Sequence, residues 1–228
     1  MTALVAEIRQ RHYSIRTEQV YELWVCRFIL FNNANNPEQL GATEVVSFFQ
    51  HLAVNRNVAA STQNQALNAL VFFYRHAIKQ PLNDLGDFSR AKRPKRLPVV
   101  LTQNEVNGLL NQIKGIHHLM VSLLYGAGLR LMDCVRLRIQ DVNFEYREIL
   151  VRDGKGQKDR VVPLPERTMR PLIEHLKGVR LLHQEDLDNG FGMVYLPNAL
   201  ARKYPNAAKE WHWQYVFPST RLSVDPSA

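Results

Sequence analysis

Residues 123–144 read LLYGAGLRLMDCVRLRIQDVNF, and this stretch decides how the rest of the chain is read. Leu123 to Ala127 is apolar with small residues, as suits a helix packed inside a core. Gly126 and Gly128 then loosen the backbone just before Arg130. From Leu129 the apolar Leu129, Met132, Val135 and Leu137 keep a roughly helical spacing, while Arg130, Asp133 and Arg136 fall on another face. A guanidinium beside two glycines in a buried segment is costly unless something anionic meets it. Asp133, on the same predicted face, can hold Arg130 without fully neutralising it. Two readings stand at this point: a structural Arg–Asp pair, or an arginine kept for an anionic ligand.

The surroundings favour the second. Gly126-Ala127-Gly128-Leu129-Arg130 followed by Asp133 closely resembles the first arginine box of the tyrosine recombinases (phage integrase family), in which G-x-G-L-R precedes an acidic side chain. The resemblance extends over nearly the whole chain. It implies a fold that is mainly α with a small β-sheet: an N-terminal helical core-binding (SAM-like) domain, then an α+β recombinase catalytic domain that is incomplete here.

Bulk properties agree. The 228 residues suit one or two domains, and 46% hydrophobic with 22% charged residues is an ordinary globular balance. A net charge of +8 points to a polyanionic partner, nucleic acid first and an anionic membrane surface second. Two cysteines, Cys26 and Cys134, are too few for a disulfide framework and fit a reducing compartment. The N-terminal MTALVAEIRQRHY lacks a signal peptide's apolar core and cleavage site, and no apolar run approaches a membrane span. A soluble cytoplasmic protein is expected, with no membrane partner.

Residues 1–86 read as helical throughout. Ser14 can cap a helix carrying Val20, Leu23, Trp24, Phe28 and Phe31, which breaks at the polar run Asn32 to Pro37. Thr43 can start a second helix through Val45, Phe48, Phe49 and Leu52. Ser61 or Thr62 starts a third, QNQALNALVFFYRHAI, ended by Pro81. The aromatic stripes are core packing. Short helices with basic outer faces also match the core-binding domain of the resembled family, which clamps one side of DNA.

From Pro81 to Pro98 the periodic pattern fails, and residues 87–98 form a basic linker. Five of the seven residues from Arg90 to Arg96 are basic: Arg90, Lys92, Arg93, Lys95 and Arg96. Such a stretch buries no apolar surface. It is either a solvated linker or a strap along phosphates, and a clamp with a domain on each side favours the strap.

The second domain, residues 99–228, opens with Thr102-Gln103-Asn104-Glu105, a capping box before a helix carrying Val106, Leu109, Leu110 and Ile113. The adjacent His117 and His118 point in different directions on a helix and are read as structural. After Asp141-Val142-Asn143-Phe144, the β-prone Ile149–Val151 and Val161–Leu164 flank Gly154-Lys155-Gly156, a hairpin turn with Lys155 at its tip. The spacing excludes a phosphate-binding P-loop. At this distance after the arginine box, G-K-G-x-K-D-R resembles the β-hairpin lysine of tyrosine recombinases. The resemblance implies that Lys155 protonates the departing 5′ oxygen and that Arg130 stabilises charge on the scissile phosphate, with Asp133 orienting Arg130. Lys158 and Arg160 join the candidate DNA contacts, and neither a metal nor another cofactor is called for.

A helix is expected from Asn198 to Trp213, within a subfamily-specific segment at about 196–216. It presents Arg202, Lys203 and Lys209 with Tyr204, Trp211 and Trp213. Basic residues interleaved with aromatics suit extrahelical or single-stranded bases, while the alternative is a surface helix with its aromatics packed inward. The pattern L-x-x-A-L-x-x-K-Y-P…W-x-x-V-F-P resembles the extra helix of the integron integrases. There it helps to recognise bases flipped from a folded bottom-strand site, so the implied partners are a double-stranded site and a folded single-stranded hairpin. Trp213 aligns best as the stacking residue, with Trp211 second.

The chain also departs from that family. None of its eight histidines is followed three residues later by Arg, so the second arginine box is absent. None of its eight tyrosines falls where the nucleophile belongs. The expectation is a C-terminally truncated integron integrase, inert by itself for want of a covalent nucleophile, with exposed apolar surface and low stability. It would also lack the C-terminal contacts through which the family assembles tetramers on DNA. The alternative is a non-catalytic DNA-binding module that occupies recombination sites. A basic scaffold without a DNA role is the third reading.

Overall fold

The computed structural model describes residues 1–82, 97–152, 158–197, 200–219 and 221. The described residues are mainly helical with one small antiparallel sheet. It divides into two compact units, residues 1–98 and 99–228, each with its own core.

Among its described residues the first unit holds four α-helices: α1 (Thr2–Gln10), α2 (Ile15–Phe31), α3 (Ala42–Gln50) and α4 (Ala60–Phe72). The last two continue as wider π-wound turns over His51–Asn55 and Phe73–Ile78. Ser14 caps α2, its hydroxyl accepting from the Thr17 backbone N–H at 3.2 Å. The start of α3 lies slightly before Thr43: Gly41 is its N-cap, and the Glu44 carboxylate reaches back to the Gly41 N–H at 2.7 Å. Arg9 of α1 donates twice to Glu18 of α2, at 2.8 and 2.9 Å, tying the two helices together. The core collects Leu4, Ile8, Val25, Phe28, Val45, Phe49 and Leu70, all fully buried, so the aromatic stripes do pack inward. Tyr74 joins them and sends its hydroxyl to the Pro37 carbonyl at 3.2 Å. Burial, with the Glu44 charge, pushes that phenol up to about 12.

The second unit starts with α5 (Gln103–Gln112), opened by the Thr102/Glu105 capping box, followed by α6 (Gly115–Ala127) and the single turn α7 (Leu131–Val135). Strands β1 (Val142–Asn143), β2 (Glu148–Val151) and β3 (Arg160–Pro163) form a meander with Val142 opposite Ile149 and Val151 opposite Arg160. The long α8 (Glu166–Asp188) packs on α6, and the core joins Leu123, Ile149, Leu172 and Val216.

Two sequence expectations are corrected here. Gly126 does not loosen the chain; it lies inside α6, where a Cβ would stand 2.6 Å from Cγ of Pro165. The single helix expected over Asn198–Trp213 is, among the described residues, three short turns: α9 (Leu200–Lys203), Ala207–Lys209 and Trp211–Trp213. Pro205 interrupts it, since a proline withholds the N–H that the helix needs. Apolar side chains also stand exposed on the second unit, among them Tyr125, Leu131, Met132 and Val161. Among the described residues no helix is long and apolar enough to cross a membrane.

Candidate nucleic-acid and phosphate site

The arginine stretch is set by a helix stop and a helix start placed back to back. Gly128 takes the left-handed conformation, φ +62°, which ends α6, and Arg130 is the extended residue before α7. Arg130 and Asp133 therefore do not share a helical face. Asp133 Oδ2 accepts from the Arg130 backbone N–H at 3.0 Å, closing the first turn of α7. The Arg130 guanidinium stands off at 3.8 Å, half-exposed, beyond hydrogen-bond reach of that oxygen.

The close cation at Asp133 is instead Arg160, whose Nη2 lies 2.6 Å from the same oxygen. Burial raises the Asp133 carboxyl, but the hydrogen bonds from Arg160 and from the Arg130 N–H, with both guanidinium charges, outweigh it. They hold the group below its ordinary value. Next to it, burial pushes the Cys134 thiol up to about 11, with Asp133 adding to the effect, so this cysteine stays a protonated core residue.

Sequence reasoning missed Arg138. It is buried, yet among the described residues no carboxylate meets it: Nη1 donates to the Trp213 carbonyl at 2.6 Å and Nη2 to the Tyr195 carbonyl at 2.7 Å. Its guanidinium also lies 4.6 Å from the Tyr215 ring centre and 5.5 Å from that of Trp213. A short bridge between Arg138 and Tyr215 completes the join, with Val216 N–H on Leu137 and Ile139 N–H on Gln214. In the sequence, Arg138 is one of three arginines in residues 123–144, with no local signal that it turns inward.

The other members of the aromatic segment are held in a similar way. Trp211 is half-buried with Arg180 over its ring at 5.6 Å and His183 beside it. His183 Nε2–H donates to the Lys209 carbonyl at 3.0 Å, and the Gln214 amide gathers the carbonyls of Gly192, Ala208 and Glu210. Arg202, Lys203 and Lys209 are exposed, as is Lys158. Lys155 and the linker residues Arg90, Lys92, Arg93, Lys95 and Arg96 lie outside the described residues.

The first unit contributes a groove of about 560 Å³ between the starts of α2 and α4, lined by Ser14, Arg16, Thr17, Ser61, Thr62, Gln65 and Asn68 among others. The sequence had marked Ser14, Ser61 and Thr62 only as helix starts. Among the described residues no cluster of His, Cys, Asp and Glu is arranged to hold a metal ion.

Comparison with known proteins agrees with this architecture. Residues 1–84 match the N-terminal SAM-like domain of phage integrases, and residues 99–223 match the phage integrase family. An integrase/recombinase of Escherichia coli is 44% identical over 219 residues, which is 96% of this chain and 65% of that protein. The chain thus spans just under two thirds of that relative's length. Among solved structures, the Tn1549 transposon integrase in complex with circular intermediate DNA superposes with a TM-score of 0.54 at 20% identity, covering 77% of this chain and 64% of that one. The XerH site-specific recombinase bound to a palindromic difH substrate gives 0.53 at 16%, covering 76% and 55%. At such identities these structures speak for the fold. With both halves of the chain matched in order, the conclusion is direct: the chain belongs to the phage integrase family of tyrosine recombinases.

Proposed function

We propose that this chain supplies the DNA-recognition and phosphate-stabilising parts of a site-specific DNA recombinase of the integron type. In this reading Arg130 stabilises the charge that builds on the scissile phosphate, Asp133 supports it, and Lys155 protonates the departing 5′ oxygen. Arg90, Lys92, Arg93, Lys95 and Arg96 follow the phosphate backbone, with Lys158, Arg202, Lys203 and Lys209 adding to the positive field. Trp213, and after it Trp211, stacks on an extrahelical base. The observation that carries the reading is the half-exposed Arg130 guanidinium, held 3.8 Å from a largely shielded carboxylate that Arg160 occupies at 2.6 Å. A merely structural pair would close to hydrogen-bond distance.

In this reading the chain binds DNA without cutting it, since neither a second arginine box nor an assignable tyrosine nucleophile is found among these 228 residues. The alternative, a non-catalytic module that occupies recombination sites, draws on the same observation. Covalent capture on nicked DNA tests the lack of cutting that both readings expect, since a protein–DNA adduct would reveal a working nucleophile.

The test of recognition is a band shift with a folded single-stranded hairpin site, run beside the same hairpin without its extrahelical bases. Preference for the first hairpin, lost in Trp213→Ala, supports the integron-type reading. Equal affinity for both leaves only general DNA binding, and no binding to either removes the proposal. Affinity should also fall steeply with salt, because each neutralised phosphate releases a counterion.

A further inference from the structure

One carboxylate oxygen joins the β2–β3 hairpin to the arginine stretch. Asp133 Oδ2 receives Arg160 at 2.6 Å and the Arg130 backbone N–H at 3.0 Å, while the Arg130 guanidinium waits at 3.8 Å. Arg160 faces Val151 in the last pair of the β2–β3 ladder, so its grip holds that end of the ladder beside Arg130. The Asp133 side chain is only 10% exposed, against 54% for Arg130. A carboxylate so shielded needs a cation, and among the described residues Arg160 and Arg130 are the two within 4 Å.

We propose that Arg160 is a positioning residue: by occupying Asp133 it keeps the Arg130 guanidinium available for a phosphate and holds the hairpin next to it. A guanidinium already engaged by a carboxylate has little charge left to neutralise a phosphate, which sets this role apart from direct DNA contact. When Arg160 is removed, Asp133 keeps its charge and its nearest remaining cation among the described residues is Arg130. A rotation of about 1 Å at the guanidinium then brings the two into a charge-assisted hydrogen bond that competes with the ligand. The assignment rests on the recombinase reading in one respect, that Arg130 is the phosphate ligand.

The test follows the arginine Nε–Hε signals of the full chain by NMR during titration with inorganic phosphate, with Arg130→Lys used to assign Arg130. In the wild type the Arg130 signal moves with phosphate. In Arg160→Ala its apparent affinity falls about tenfold, the effect of one competing charge-assisted contact. Adding Asp133→Asn restores the response, because asparagine still accepts the Arg130 N–H but carries no charge to capture the side chain. Arg160→Lys keeps the charge and restores part of it. An Arg130 response unchanged in Arg160→Ala overturns the proposal, and so does a loss that Asp133→Asn fails to reverse. If Arg160→Ala does not fold, Arg160→Gln carries the same comparison. A failed hairpin band shift with this NMR pattern intact would remove the recombinase reading alone. An intact band shift without the pattern would remove the role of Arg160 alone.

Discussion

Arg138 and Trp213 lie 75 residues apart in the chain, yet the Arg138 Nη1 donates to the Trp213 carbonyl at 2.6 Å while its guanidinium faces the Trp213 ring. A charge buried in this way is stable only because two carbonyls and two aromatic faces receive it. It fixes the ring on which the recognition of an extrahelical base depends in the proposed function.

Replacing Arg138 with Met leaves the Trp213 and Tyr195 carbonyls without their donor. The expected cost is about 2–4 kcal/mol for the second unit, since buried acceptors lose their partners. Urea unfolding in a Trp24→Phe background, where only Trp211 and Trp213 report, measures it. A loss below about 0.5 kcal/mol, typical of an ordinary surface site, would show that Arg138 is not the staple described.

The contact of Gly126 with Pro165 predicts a pairwise effect. Gly126→Ala places a methyl 2.6 Å from Cγ of Pro165 and should cost about 1–3 kcal/mol through overpacking. Pro165→Ala removes that atom and should recover part of the loss in the double variant. Gly128→Ala meets no neighbour within 4 Å, so its cost of about 1–2 kcal/mol comes from the left-handed backbone alone and should not respond to Pro165→Ala. Equal behaviour of the two glycines in the Pro165→Ala background would contradict this.

The depressed Asp133 carboxyl gives the second unit an acid-sensitive contribution. A folded value below the ordinary 3.8 means that the stabilisation is fully present above about pH 4 and is lost as pH falls through the folded value. Asp133→Asn should flatten that part of the acid-side slope. Urea midpoints followed from about pH 5 down to about pH 2 decide it; identical slopes for wild type and variant would exclude Asp133 as the source.

In the first unit, Phe28→Ala and Leu70→Ala each empty a fully buried site and should cost about 3–5 kcal/mol and 2–5 kcal/mol respectively. Val54→Ala, at a position 80% exposed, should stay within about 0.5 kcal/mol. Thermal unfolding of the three variants side by side checks the ranking, and a large effect at Val54 would mean that this surface is covered in solution.

What the sequence by itself determined is what its local patterns encode. The Ser14 cap, the Thr102/Glu105 capping box and the pairing of Ile149 and Leu150 with Val162 and Val161 each depend on neighbours a few residues away or on a short hairpin. The inward aromatic stripes follow from helical periodicity. Arg130 was legible because two glycines and an acid frame it within eight residues. Tertiary structure alone decided which partner each charge takes. Asp133 turns to Arg160, 27 residues on, because the β2–β3 hairpin delivers a second guanidinium closer than that of Arg130. Arg138 turns inward because the returning Trp213–Tyr215 segment offers carbonyls and rings at the same spot. Gly126 is small because Pro165 at the head of α8 sits against it. Local hydrogen bonds and periodicity are written in adjacent residues; the choice among distant partners of equal chemistry is made by the packing that brings one of them nearer.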